Sequence, residues 1–336
     1  MRLHYVGSFQ RGHHHPSESA AGEAWGQLSR YGAVNFLSAF SGNIGGEDPD
    51  RPRITSYAAV RIRQGVEFRS FSQDGSLLTA PLSLYYAALN AARACLALET
   101  GTESGKSHGL TFRLGESLMD CHAIIAKGTY ADLLAAFDVS FEVGDEISLR
   151  DALSAIPEIA HEFNSPDRGL TNVYSVSVKA ARGELTLRVN DSYRPLEDFA
   201  ASWRDWFPIL ATICAYNENE RSLALVDAGS IAGPETVEEF CNAHLETSLT
   251  WLNAPIWWLI RHPVSKLELP RIAYYFVALF ILGSVVRYEP EMMIEAASPD
   301  DELNWFLQRF LAAADRHVPQ LLVSRLRGHN VFFPSV

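Results

Sequence analysis

What this sequence has little of narrows its function before any motif is weighed. Four cysteines, Cys95, Cys121, Cys214 and Cys241, are spread through 336 residues without a Cys-x-x-Cys pair. That spacing excludes a zinc ribbon and a disulfide scaffold and predicts reduced, mostly buried thiols. Positive charge is short as well: 28 Lys plus Arg face 40 Asp plus Glu, a net charge of −12. A broad cationic face for nucleic acid is therefore not expected, and only a local basic patch stays open. The longest apolar run, Ile272 to Val286 between Arg271 and Arg287, falls short of the roughly 20 residues of a bilayer span and predicts a buried helix with no membrane partner. The first residues carry no apolar stretch followed by a small-residue cleavage site, so a cytoplasmic location is expected.

Complete catalytic motifs are missing too. No His-Glu-x-x-His, no Gly-x-Ser-x-Gly and no paired metal-binding carboxylate run occurs. Gly101-Thr-Glu-Ser-Gly105-Lys106-Ser107 resembles a phosphate loop, but has three residues between its glycines where four are required. It also follows a helix-like segment, which predicts a Gly/Ser turn and no nucleotide affinity. Gly42, Gly45 and Gly46 lack the dinucleotide-binding order. Asp120-Cys121-His122, even with His108, does not make a nucleophile–base couple, since immediate neighbours point apart. His13, His14 and His15 lack partner ligands for a metal. Neither a metal nor a cofactor is expected.

What is present, 47% hydrophobic and 20% charged residues, is the composition of a globular protein. Residues 1–20 read as a flexible leader. Residues 21–130 read as a helical part: Trp25 to Phe40 suits one helix or two short ones, and Ala80 to Leu98, with Pro81 at its start, is the strongest helix in the chain. Residues 131–239 read as an α+β middle section. There Ser148 and Asp151 form a capping box, and Val173–Val178 with Glu184–Val189 form a β-hairpin. Leu118 to Ile125 fits a strand or a short helix. Residues 240–336 read as a C-terminal helical part packing on the first, with helices over Phe240–Leu252, Pro270–Tyr288 and Asp301–Leu326 and breaks at prolines that include Pro319. Trp251, Trp257 and Trp258 are read as helix-packing residues. The fold class is α+β and mainly α-helical, with helical ends around a middle section that holds a hairpin.

On the Ala80–Leu98 helix, Tyr86, Asn90 and Arg93 fall on one stripe at steps of four and three. Such a row is either a buried hydrogen-bond network between helices or a ligand site. Asn90 in particular is expected to be enclosed and to bond towards Arg287 or Tyr288. With His108, Arg287, Tyr288 and Glu289, these residues form the candidate ligand or network set, and Glu291 is a natural partner for Arg287. Two functions compete. One is a cytoplasmic interaction or sensor protein binding a protein partner, a second copy of itself or a small ligand. The other is an enzyme using His108 with Arg93 as charge stabiliser.

Three stretches carry a family resemblance: Ile62-Arg-Gln-Gly-Val-Glu-Phe68, then Ala80-Pro-Leu-Ser-Leu-Tyr-Tyr-Ala-Ala-Leu-Asn90 with His108-Gly109-Leu110, and Tyr275 to Glu289 ending in Arg287-Tyr288-Glu289-Pro290. Together they resemble the YaaC-like protein family of bacteria, and Ile147–Phe163 and Phe306–Leu326 extend the likeness. That resemblance implies no particular reaction. The paired-tyrosine helix is also similar to the helical cores of HEPN proteins, many of them RNA-cutting effectors of bacterial conflict systems. This second likeness implies a noncanonical nuclease or nucleotide-processing effector, whereas the interaction or sensor reading is the one expected to act within a bacterial defence or stress module. The Arg-x4-His pattern of those nucleases is absent.

Overall fold

The structure is a computed structural model, and it describes residues 13–14, 18–40, 50–181, 184–190, 196–226, 234–249, 255–264 and 267–333. Its elements fall into two compact units, one drawn from Gly12–Leu153 and Lys266–Val336, the other from Ser154–Ser265.

The first unit is helical and is organised by the alanines of one helix. After the two-residue strand β1 (His13–His14) come α1 (Ala20–Arg30), α2 (Val34–Phe40), α3 (Arg51–Gln73) and α4 (Ala80–Thr100). Trp25 to Phe40 thus forms two helices, separated at Tyr31–Ala33. In α4 every residue from Ala87 to Leu98 is buried. Small side chains all round let neighbours approach closely: a Cβ at Gly65 of α3 would sit 3.0 Å from the Ala87 carbonyl oxygen, so a larger residue there would push the two helices apart by a few tenths of an ångström. Helix α4 stops at Gly101, which takes the left-handed conformation (φ 69°), as C-terminal glycines do. The loop that follows enters strand β2 (His108–Arg113) and not a helix, so the geometry of a phosphate loop is absent.

Strands β2, β3 (His122–Gly128) and β4 (Glu146–Ser148) make a three-stranded antiparallel sheet in that order. The ambiguous Leu118–Ile125 segment resolves into both alternatives, a 3-10 turn over Leu118–Asp120 and then β3. Helix α5 (Thr129–Ala136) follows β3, and α6 (Leu149–Ser154) follows β4. Ser148 and Asp151 cap α6 reciprocally. The Asp151 amide donates to Ser148 Oγ at 3.0 Å, and the Ser148 amide donates to Asp151 Oδ2 at 3.4 Å.

The second unit opens with α7 (Ala160–Phe163) and is built on a six-stranded antiparallel sheet. Its strands are β5 (Val173–Ala181), β6 (Glu184–Val189), β7 (Cys214–Asn217), β8 (Ser222–Leu225), β9 (Glu246–Leu249) and β10 (Pro255–Ile260), in the order β7-β8-β6-β5-β10-β9. The expected hairpin is its centre: Val176 pairs with Val189 and Val178 with Leu187, all four buried, while Ser177, Lys179 and Arg188 face out. That alternation is the strand period. Helices α8 (Glu197–Trp206), α9 (Pro208–Ile213) and α10 (Pro234–His244) belong to this unit, and Phe199 and Trp203 of α8 join the sheet core.

Here two expectations need correction. A helix over Phe240–Leu252 was expected, yet α10 ends at His244 and Glu246–Leu249 is strand β9. The leucines at 245 and 249 have helical spacing, but β10 offers an open edge, and pairing along it overrides local preference. Thr247 lies opposite Trp257, and Trp258 Nε1 donates to Ser248 Oγ at 2.8 Å. Trp257 and Trp258 are therefore buried sheet residues, and Trp251 lies outside the described residues.

The chain then returns to the first unit with α11 (Arg271–Tyr288), α12 (Pro290–Ala296), α13 (Glu302–Arg327) and β11 (Val331–Phe332). Among the described residues α11 alone has the length and apolarity of a bilayer span. It is an interior helix, buried at every position from Arg271 to Val285. The second correction concerns Pro319, expected to break the last helix: α13 runs through it. Proline cannot donate to the carbonyl four residues earlier. That carbonyl, Asp315, instead accepts from Trp25 Nε1 of α1 at 2.8 Å, so the freed acceptor is satisfied by a tertiary donor. Strand β11 pairs in parallel with His13–His14, and Val331, Phe332 and Phe333 are buried.

Candidate functional site

The stripe on α4 lies between α3 and the start of β2, with the end of α11 beside its first turns. Tyr86 is half-buried, and Asn90 and Arg93 are buried. Asn90 is enclosed, but its partners are not those expected. Its Oδ1 accepts from Arg61 Nη1 of α3 at 3.2 Å and its Nδ2 donates to the Tyr86 carbonyl at 2.9 Å. The link to α11 is made one turn earlier, where the Tyr86 hydroxyl accepts from Arg287 Nη1 at 3.2 Å. A tyrosine reaches the end of α11 from that turn, whereas the short Asn90 side chain, a turn further on, meets α3.

Arg93 is 8% exposed. Its Nε donates to Thr129 Oγ1 at 3.0 Å, and Nη2 donates to the carbonyls of Lys106 at 2.9 Å and Ser107 at 3.2 Å. These acceptors are neutral, so they fix the 105–107 loop and the start of α5 without cancelling the charge. Burial, and after it the charge of Arg61, pulls the Arg93 pKa below its usual value; a guanidinium so far above neutrality stays protonated all the same. Among the described residues Arg93 Nη1 has no hydrogen-bond acceptor.

His108 is placed by an irregularity in β2. Gly109 has φ +81°, a Cβ there would lie 2.7 Å from the Tyr130 amide nitrogen, and the strand register shifts between His108 and Leu110. The imidazole stands beside the rings of Tyr85 and Phe280, with Nδ1 3.0 Å from the Tyr85 hydroxyl. Burial first, then Arg93 and Arg287, push the His108 pKa down, and burial above all pushes that of Tyr85 up. Both are therefore neutral at pH 7, and their contact is a neutral hydrogen bond.

The remaining parts are aromatic and cationic. Phe68 stacks on Tyr86 with ring centres 5.3 Å apart. The Arg61 guanidinium lies 5.1 Å from the centre of the Tyr57 ring, and that of Arg287 lies 4.4 Å from the Tyr288 ring. The charges that act on His108 are both guanidiniums, and among the described residues none of Arg61, Arg93 and Arg287 forms an ion pair with a carboxylate. Glu289 forms no ion pair with them among the described residues, and its amide closes α11 on the Val285 carbonyl at 2.8 Å. Arg287 bonds to the tyrosine hydroxyls of Tyr86 and Tyr288 and not to Glu291.

Of the candidate set, the structure brings Tyr86, Asn90, Arg93, His108, Arg287 and Tyr288 into one connected neighbourhood. Arg93 and His108 are not hydrogen-bonded to each other. Arg61, Tyr57, Tyr85 and Thr129 belong to the same neighbourhood and were missed from sequence. Tyr85 reads as a core residue by its spacing, and nothing local in α3 singles out Arg61, whose role comes only from the packing of α3 on α4. Among the described residues no group of His, Cys, Asp and Glu converges as a metal site.

Comparison with known proteins agrees with the first resemblance and adds nothing to the HEPN one. The model of the family described as YaaC-like Protein matches residues 33–326. No curated protein matches, and no solved structure does. A match of that extent spans both compact units, and on it the chain belongs to the YaaC-like protein family.

Proposed function

We propose that this protein is a cytoplasmic sensor or interaction protein that binds an anionic ligand, or an anionic group of a partner, among Arg61, Arg93, Arg287 and the tyrosines around them. One observation carries the reading: three guanidiniums gather, none of them in an ion pair with a carboxylate among the described residues, in a chain of net charge −12. A buried guanidinium facing only neutral acceptors is costly, and an anion supplied from outside removes that cost. Catalysis by His108 and Arg93 finds less support, because two of Arg93's three hydrogen bonds hold a loop, the third holds the start of α5, and the described hydrogen bond of His108 goes to Tyr85.

The test is thermal melting in millimolar phosphate against chloride at equal ionic strength. A ligand that binds only the folded state raises Tm by mass action. The parent should melt higher in phosphate and Arg287→Ala should lose that gain. Arg287 is exposed, so its variant should melt like the parent in chloride. Equal melting of the parent in both salts contradicts the proposal.

A further inference from the structure

Resting on the anion-binding reading, we infer that the ligand is a nucleoside phosphate, with its phosphate on the free edges of Arg93 and Arg61 and its base against Tyr288. The inventory of unused donors points to phosphate. Arg93 is more than nine-tenths buried and leaves Nη1 unbonded. Arg61 spends only Nη1, on Gln64 and Asn90, and keeps Nε and Nη2. Because Asn90 and Arg93 share one stripe of α4, the bond from Arg61 to Asn90 holds the second guanidinium beside the first. The Tyr57 hydroxyl, next to Arg61, makes no hydrogen bond. A carboxylate occupies one guanidinium fork, whereas a terminal phosphate has three oxygens and up to two charges, enough to engage two forks and a hydroxyl.

The ring preference rests on a separate observation. Tyr288 is 56% exposed although Arg287 lies against its ring at 4.4 Å. A large aromatic left open to water beside an anion site, and already stacked with a guanidinium, is a platform for a planar base. Tyr288 follows Arg287 directly, and Arg287 is tied to Tyr86 on α4, so platform and phosphate edges belong to one neighbourhood. The phosphate-loop-like segment Gly101–Ser107 plays no part, because the loop's contribution is two backbone carbonyls that accept from Arg93.

Isothermal titration of the full chain with adenosine 5′-monophosphate, ribose 5-phosphate and inorganic phosphate tests this. The nucleotide should bind about tenfold tighter than ribose 5-phosphate, the gain of one stacked base. Tyr288→Ala should remove that difference, and Tyr288→Phe should keep it. If the nucleotide binds no tighter than ribose 5-phosphate, the nucleoside inference fails while anion binding stands. If Tyr288→Ala keeps the tenfold preference, the assignment of the base to Tyr288 fails. No binding by any of the three overturns both this inference and the reading beneath it.

Discussion

Asn90 and His108 differ in how far their surroundings could be read from the sequence. For Asn90, a polar amide in the middle of an Ala- and Leu-rich helix needs tertiary partners, and that need was legible; the identity of the partners was not. Spacing along α4 says which residues share a stripe, but not which turn of α3 or α11 lies opposite. Asn90→Leu removes the side-chain donor to the Tyr86 carbonyl and one of the two acceptors of Arg61 Nη1 and should destabilise the fold by about 1–3 kcal/mol. Glu103→Ala removes an exposed ion pair with Arg53, and its melt should differ by less than about 0.5 kcal/mol. For His108, the folded pKa lies below the unfolded value of about 6.5, so the unfolded chain binds more protons. Its contribution to stability is complete above that value and is lost as pH falls towards the folded pKa. Burial depresses His244 in the same direction, and His262 to about 4. Melting temperature should therefore drop between about pH 7 and pH 5, and His108→Gln should drop less steeply over that range; an equal slope in the variant would assign the effect to the other histidines.

Elements were legible where local signals agreed with tertiary context. The capping box at Ser148 and Asp151, the alternating hairpin of β5 and β6 and the continuously apolar helix α11 each carry a complete local signal, and each forms as that signal predicts. Failures came where a distant segment supplied what local sequence lacked. Strand β10 turned Glu246–Leu249 into a strand, and Trp25 satisfied the carbonyl that Pro319 left open. The node around Asp315 extends further, because its carboxylate also takes Arg69 of α3 as a fork, with both bonds at 2.9 Å. Helices α1, α3 and α13 thus meet at one side chain. Asp315→Ala should destabilise by about 3–5 kcal/mol, whereas Trp25→Phe, which removes the indole donor and part of a buried ring, should lose less, about 1–3 kcal/mol. Chemical denaturation of the two variants checks the order; a larger loss for Trp25→Phe contradicts it.

At the scale of the whole molecule, composition and helix pattern were enough for the α+β, mainly helical class, and the resemblance was enough for the family. The candidate site was half legible. Its α4 and α11 members stood out as polar residues in apolar helices, while Arg61 and Tyr57 entered only through helix packing, which periodicity does not encode. On this reading these helices present guanidiniums without ion-pair partners to one anion. A crystal structure of the full chain grown with tungstate, an electron-dense oxyanion, locates that anion. A peak is expected within hydrogen-bond distance of Arg93 Nη1 and Arg61, and it should vanish in Arg61→Ala. Tungstate bound only elsewhere, or a carboxylate found bridging Arg93 and Arg61 in its place, would rule the site out.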